Sequence, residues 1–149
     1  ENIVNQAKAM TNHFFNQELQ EFVKYTYPPV IKLMGGKEAL IDQLAEGTKQ
    51  MTSQGMTIST IEFGTPSKVI EENNQLQAIL PQKMMLTIPS GMLQTNSSLV
   101  CISIDNGNKW FFVEASGKDI NQMREMIPSL SPELIIPKVS EPILFENPS

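Results

Sequence analysis

The chain has 149 residues, the length of a single domain, and 40% of them are hydrophobic, which is enough for a buried core. Only 18% are charged and the formal net charge is −5, which argues against nucleic acid as a partner. No apolar run approaches the roughly 20 residues of a membrane helix, so no membrane span is predicted. The single cysteine excludes an intrachain disulfide and a cysteine zinc cluster, and no metal or other cofactor is predicted.

A helical pattern occupies the beginning of the chain. Apolar residues recur at steps of three and four over residues 3–26, which predicts one long amphipathic helix. Pro28 and Pro29 end this helix, because proline lacks the N–H that an interior turn requires. Pro29 can still occupy the first position of a new, short helix.

A second break in the helical pattern falls at the doubled glycine. Gly35 suits the left-handed residue that follows a helix, and Gly36 opens a third helix over residues 37–54. Leu40 and Leu44 belong to the apolar stripe of this helix, which we expect to pack on a sheet. The two breaks therefore predict three helices, and the short middle one lets the chain reverse its direction.

After Gly55 the pattern changes to strands and turns. The predicted strands are residues 56–63, 67–72, 75–80, 83–88, 97–105 and 109–115. Asn73-Asn74 is a predicted hairpin turn, and Pro81 is expected at a bulge or a sheet edge. A short helix over residues 118–127 completes a single domain, residues 1–127. The proline-rich tail, residues 128–149, is predicted to lie against this domain as an extended strap.

The order of helix, short helix, helix and long antiparallel strands resembles the nuclear transport factor 2-like superfamily. This superfamily includes ketosteroid isomerase, scytalone dehydratase and the SnoaL-like polyketide cyclases. The resemblance rests on Tyr27-Pro28-Pro29, on Gly35-Gly36 and on the sequence NGNKWFFVEA of residues 106–115. It implies an α+β fold in which three N-terminal helices pack on a strongly curved antiparallel sheet, the cone of a cystatin-like roll. It also implies a cavity between helices and sheet, and a homodimer through the outer face of the sheet.

Two registers are possible for the last hairpin, which surrounds the sequence NGN. A two-residue loop would place Ile102 beside Phe111, whereas a three-residue loop would pair Ile102 with Phe112. We predict the second register, because it gathers the apolar side chains of both strands on one face. In that register Trp110 and Glu114 also point into the cavity.

These patterns yield a set of candidate site residues. The side chains predicted to contact a ligand are Phe14, Tyr27, Met84, Ile102, Trp110 and Phe112. Glu114 is the candidate general acid or base, and the alternative is a solvated position at the end of its strand. His13 falls opposite the apolar stripe of its helix, which argues against the histidine–aspartate chemistry that a scytalone dehydratase-like site implies.

The opposite face of the sheet is the candidate for assembly. Its predicted members are Leu99, Cys101, Phe111 and Val113, an apolar set that could join two copies of the chain. We expect Cys101 to be an inert buried thiol, because a reactive thiolate needs an accessible, electropositive site.

The sequence therefore predicts a domain that binds a small apolar ligand, or that serves in assembly, without catalysis. The alternative is an isomerase, dehydratase or cyclase acting on a hydrophobic small molecule. A buried acid beside a second polar group in the cavity would favour this alternative. The low charge content, together with a first residue that is not Met, favours export after loss of a signal peptide. Removal of N-terminal residues for another reason would explain that start equally.

Overall fold

The computed structural model describes residues 2–115, 118–138 and 142–146. Its helices are α1 (Asn2–Phe15), α2 (Leu19–Phe22), a 3₁₀ turn (Val23–Tyr25), α3 (Pro28–Leu33), α4 (Lys37–Ser53) and α5 (Ile120–Met126). Its strands are β1 (Thr57–Phe63), β2 (Ile70–Glu72), β3 (Gln75–Ile88), β4 (Gly91–Ser103), β5 (Phe111–Glu114) and β6 (Ile143–Glu146). The strands form one antiparallel sheet, so the predicted α+β class is confirmed.

The sheet is built around the long hairpin of β3 and β4. Strands β1 and β2 pair with opposite ends of β3, while β5 and β6 pair with opposite ends of β4, so the sheet does not close. The predicted turn between β2 and β3 is confirmed, since Asn73 and Asn74 adopt left-handed φ angles of 52° and 62°. No helix in the described part of the chain is long and apolar enough to cross a membrane.

Strand β3 runs without interruption through Pro81, where the sequence predicted a division into two strands. Along the outer edge of β3, the pairing with β2 extends from Gln75 to Gln77, and the pairing with β1 begins at Gln82. In this gap the Gly64 N–H donates to the Pro81 carbonyl oxygen at 2.9 Å, so Pro81 faces a loop. Because the N–H and C=O of a strand residue point the same way, the missing N–H of Pro81 costs no ladder bond. The predicted edge position is confirmed.

The prediction of a single first helix over residues 3–26 is wrong. Helix α1 ends at Phe15, and Gln17 adopts a left-handed φ of 61° that no α-helix continues. The turn folds α2 back against α1, where the Phe14 and Phe22 rings lie 5.6 Å apart. Residues 2–53 consequently hold four α-helices and a 3₁₀ turn, where three helices were predicted.

Both predicted helix breaks are present, with one shift of position. Helix α3 begins at Pro28 rather than Pro29, and both prolines occupy its first turn, where their missing N–H groups need no partner. Gly35 and Gly36 adopt φ angles of 96° and 106°. The Gly36 N–H donates to the Ile31 carbonyl at 2.9 Å, which satisfies an otherwise unpaired carbonyl at the helix end.

Helix α4 docks less deeply than the sequence predicted. Of its residues, all of which the structure describes, only Leu40 is buried, with 9% of its surface exposed. Leu44 is half-buried and lines a cavity instead of packing directly on a strand. The helix contacts α2 and α3, so it lies over the sheet with a space beneath it.

The predicted register of the last hairpin is wrong. Ile102 pairs with Phe111 and Cys101 pairs with Phe112, across a connection in which Asn106 and Gly107 adopt left-handed φ angles of 62° and 90°. Because side chains alternate between the faces of a strand, Ile102 and Phe112 lie on opposite faces of the sheet. The apolar set that the prediction placed on one face is therefore divided.

Both faces of the sheet are covered by other parts of the chain. On the helix face, the buried strand residues Ala78, Leu80, Leu99, Cys101 and Phe112 pack with Ile3, Ala7 and Met10 of α1. On the tail face, Ile79, Val100, Ile102 and Val113 pack with Met123, Ile127, Leu130 and Leu134. The described residues of the predicted strap thus lie against the sheet, through residues 128–138, or extend it, as β6. Residues 139–141 and 147–149 of that strap lie outside the described residues.

The set predicted to form an outer apolar face does not do so. Leu99 and Cys101 belong to the helix face, whereas Phe111 and Val113 belong to the tail face, as the pairing of β4 with β5 requires. All four pack against other residues of the same chain. A homodimer therefore stays a prediction, without this surface to support it.

Candidate ligand-binding cavity

A cavity of about 410 Å³ lies between the helix face of the sheet and the helices α1, α3 and α4. Ile61 of β1 and Met84 of β3 are paired neighbours, and together with Leu99 of β4 they form the floor of the cavity. Phe14 of α1 and Leu44 of α4 line its helical side. The cavity exists because α4 buries so little of its own surface.

Polar groups are concentrated at one side of this cavity. Gln82 is only 8% exposed, and its amide Nε2 donates to the Glu114 carboxylate at 2.9 Å and to the Ser97 hydroxyl at 3.1 Å. Glu114 and Lys118 also line the cavity, and both are exposed. These two charged residues therefore mark an opening to solvent, and the remaining lining is mainly apolar.

Four of the candidate residues predicted from the sequence meet here. Phe14, Met84 and Phe112 line the cavity, as does Glu114. Phe14 contributes from α1, and the other three contribute from the helix face of β3 and β5. Whether these side chains contact a ligand stays a prediction.

The other three candidates lie elsewhere. Tyr27 is buried, and its hydroxyl accepts a hydrogen bond from Gln75 Nε2 at 2.8 Å. Ile102 lies on the tail face, because the register differs from the predicted one. Trp110 packs with the residues of α1, and its backbone N–H donates to Gln6 Oε1 at 2.8 Å. These positions serve the packing of the core, and none of the three lines this cavity.

The titratable candidates have ordinary structural surroundings. Glu114 ends β5 and is exposed, so the burial on which an acid–base role depended is absent. His13 Nδ1 lies 2.9 Å from Glu18 Oε1, outside the cavity. Cys101 is fully buried, and desolvation raises the pKa of its thiol, as expected for an inert position.

Sequence reasoning missed several lining residues, among them Ile61, Gln82 and Leu99. A signal for Gln82 was available, since alternation along an uninterrupted β3 puts Leu80, Gln82 and Met84 on one face. The predicted break at Pro81 removed that continuity. Leu99 was placed on the outer face because the register of the last hairpin was one residue out.

A second apolar space adjoins the cavity. This groove, of about 480 Å³, lies between the end of α1, the second half of α4 and the start of β1. Phe15, Met51 and Met56 line it, and Phe14 and Ile58 line both the groove and the cavity. The two spaces are therefore neighbours that meet at these shared side chains.

A third pocket lies elsewhere and is a weaker candidate. It has a volume of about 530 Å³ and lies where β1, β3 and β4 adjoin Pro137 and Lys138. Polar and charged residues make up most of its described lining, and two of them, Lys83 and Glu62, approach each other to 3.8 Å. Its charges are thus partly satisfied within the chain, and it offers less apolar surface to a ligand than the cavity does.

No protein-family model and no curated protein matches this chain. The candidate site is therefore defined by its own geometry. That geometry is a mainly apolar space under α4, open to solvent beside Glu114 and Lys118 and adjoined by a groove along α4.

Proposed function

We propose that this chain binds a small apolar ligand, without catalysis, in the cavity between α4 and the helix face of the sheet. The supporting observation is the cavity itself, whose lining consists mainly of Leu, Ile, Val, Met and Phe side chains. Its volume of about 410 Å³ lies in the range of small-molecule sites, roughly 300–1,000 Å³. Methionines at positions 10, 34 and 84 allow the lining to adapt to a ligand's shape.

The resemblance to the nuclear transport factor 2-like superfamily belongs to the same proposal. Support comes from the order of elements, because the first four α-helices precede all the described strands. A cavity between helices and sheet is also what the resemblance implies. The proposal includes the strong curvature of the sheet and the cone-like arrangement, and an assembly role remains compatible with it.

The alternative, an isomerase, dehydratase or cyclase, has less support. Such an enzyme was expected to hold a buried acid beside a second polar group. Among the described residues that line the cavity, Glu114 is the only acid, and it is exposed. The acids of such sites are held in apolar, buried surroundings, and Glu114 is not.

A neutral fluorescent probe, N-phenyl-1-naphthylamine, tests the proposal directly. We expect it to bind the wild-type protein with a rise in fluorescence and a dissociation constant of about 1–50 μM, as an apolar site of this size allows. Met84→Trp should weaken binding at least about fivefold, because the indole fills space at the cavity floor.

Met85→Trp is the matched control, since Met85 is the next residue of β3 and points to the other face of the sheet. We expect it to change the affinity less than about twofold. Circular dichroism must show that both variants are folded. No binding by the wild-type protein, or equal losses in the two folded variants, would contradict the proposal.

A further inference from the structure

We infer that the ligand is a single-chain anionic amphiphile, whose head group lies at Lys49 and whose apolar chain extends along the groove into the cavity. This inference rests on the proposed function and specifies its ligand class. The observations that support it are the adjacency of the two apolar spaces and the charge of Lys49 in the lining of the groove.

The two spaces adjoin each other, because they share part of their lining. Phe14 and Ile58 line both the groove of about 480 Å³ and the cavity of about 410 Å³. Apolar side chains therefore follow one another from Met56, beside the start of β1, to Leu44 and the floor of the cavity. A compact ligand would fill only one of the two spaces, whereas an extended chain would occupy both and bury more apolar surface.

The charge is carried by Lys49. Among the described residues that line the groove, Lys49 is the only charged one, and it forms no ion pair with any described residue. The neighbouring hydroxyls are already engaged, since Thr48 and Thr52 each donate to a backbone carbonyl of α4 at 3.0 Å. The ammonium group is thus the strongest donor that the groove offers, and it complements an anionic head.

The cavity opening at Glu114 and Lys118 is a poorer place for an anion. Lys118 lines the cavity there, but the Glu114 carboxylate lines the same end and opposes its charge. The chain as a whole has a net charge of −5, so long-range attraction does not recruit anions. The orientation with the head at Lys49 therefore follows from local charge.

The test is displacement of N-phenyl-1-naphthylamine by dodecanoate, by dodecyl phosphate and by the uncharged dodecanol, each below its micellar concentration. We expect Lys49→Gln to weaken an anionic amphiphile about two- to fivefold, the effect of one exposed ion pair. Dodecanol should bind the variant and the wild-type protein equally. Comparison of the two anions distinguishes a preference for a carboxylate head from a preference for a phosphate head. A loss of affinity in Lys49→Gln for either anion supports the inference.

Lys37→Gln is the matched control, because Lys37 begins the same helix and lines neither space. It should leave all three affinities unchanged. Added salt should reduce the difference between Lys49→Gln and the wild-type protein, since screening weakens exposed ion pairs.

The inference is overturned if the probe binds but the anions bind no differently to Lys49→Gln and to the wild-type protein. It is likewise overturned if Lys118→Gln, and not Lys49→Gln, weakens them. In both cases the proposed apolar site stands. Failure of the neutral probe to bind the wild-type protein would instead remove the proposed function, so the two failures are distinguishable.

Discussion

One buried amide hydrogen-bonds the C-terminal tail to the sheet, which makes Gln77→Met an informative substitution. Gln77 is 0% exposed on the tail face of β3. Its Nε2 donates to the Ser129 carbonyl and to Gln75 Oε1, both at 2.9 Å, and its Oε1 accepts from the Ser131 N–H at 2.8 Å. Methionine preserves the volume of the side chain and removes all three bonds.

The cost can be estimated from the groups that lose a partner. Ser131 is 0% exposed, so its N–H becomes a buried donor without an acceptor, which costs about 1–3 kcal/mol. The Ser129 carbonyl is less affected, because it also accepts from Asn73 Nδ2 at 3.1 Å. The thioether recovers part of the loss through its apolar surface. We expect Gln77→Met to lower the free energy of unfolding by about 2–3 kcal/mol.

Urea unfolding followed by circular dichroism measures the total loss of stability, and hydrogen exchange shows which residues lose protection. The amides of residues 130–134 should lose protection more than those of the central hairpin, since they belong to the segment that Gln77 holds. Gln20→Met, at an exposed position of α2, is the control and should change the stability by less than about 0.5 kcal/mol. A change for Gln77→Met as small as that of the control, with unaltered exchange in the tail, would refute the reasoning.

Three further predictions use other parts of the chain. Leu80→Ala should lower the free energy of unfolding in urea by about 2–5 kcal/mol, because Leu80 is 0% exposed. Leu44→Ala should lower it by only about 1–2 kcal/mol, because Leu44 is half-buried. Equal losses of stability would contradict the loose docking of α4. The Lys109 backbone N–H donates to Asp105 Oδ1 at 2.9 Å, and this hydrogen bond lowers the pKa of Asp105. This carboxylate therefore contributes stability above its ordinary pKa of 3.8, which is lost as the pH falls through the lower folded value, so Asp105→Asn should flatten the stability curve below about pH 4. Burial raises the pKa of the Cys101 thiol, so a disulfide reagent at pH 8 should label it only in urea; labelling of the native protein would contradict its burial.

Local chemistry made the helix breaks and several turns predictable from the sequence. Proline at the start of α3 and glycine after it act through their own backbone preferences, and so do the two asparagines between β2 and β3. The break after α1 carries no proline or glycine. The left-handed residue there is Gln17, and the packing of Phe22 on Phe14 accompanies the turn. Such a contact between elements cannot be read from helical periodicity.

The register of β5 was not predictable, because β4 is buried on both faces. Val100, Cys101 and Ile102 are consecutive residues and each is 0% exposed. Alternation between apolar and polar residues fixes a register only when one face is solvated, and here either register buries apolar side chains. The placement of Ile102 and Leu99 on the wrong faces follows directly from this ambiguity.

The tail is the physical cause of that ambiguity, and it also explains where the cavity lies. Leu130 and Leu134 cover the tail face together with Tyr27 and Val30, so the strand residues beneath them have to be apolar. With that face filled mainly by α5 and the tail, the helices α1 and α4 lie over the other face. Helix α1 covers one end of it closely, through Ile3, Ala7 and Met10, whereas α4 buries only Leu40 among its residues, all of which are described. The space left under α4 is the cavity, and its apolar lining is the part of the helix face that no side chain of the described helices fills. The apolar ligand that we propose would bind this surface because its burial there would recover the hydrophobic free energy that α4 leaves unused.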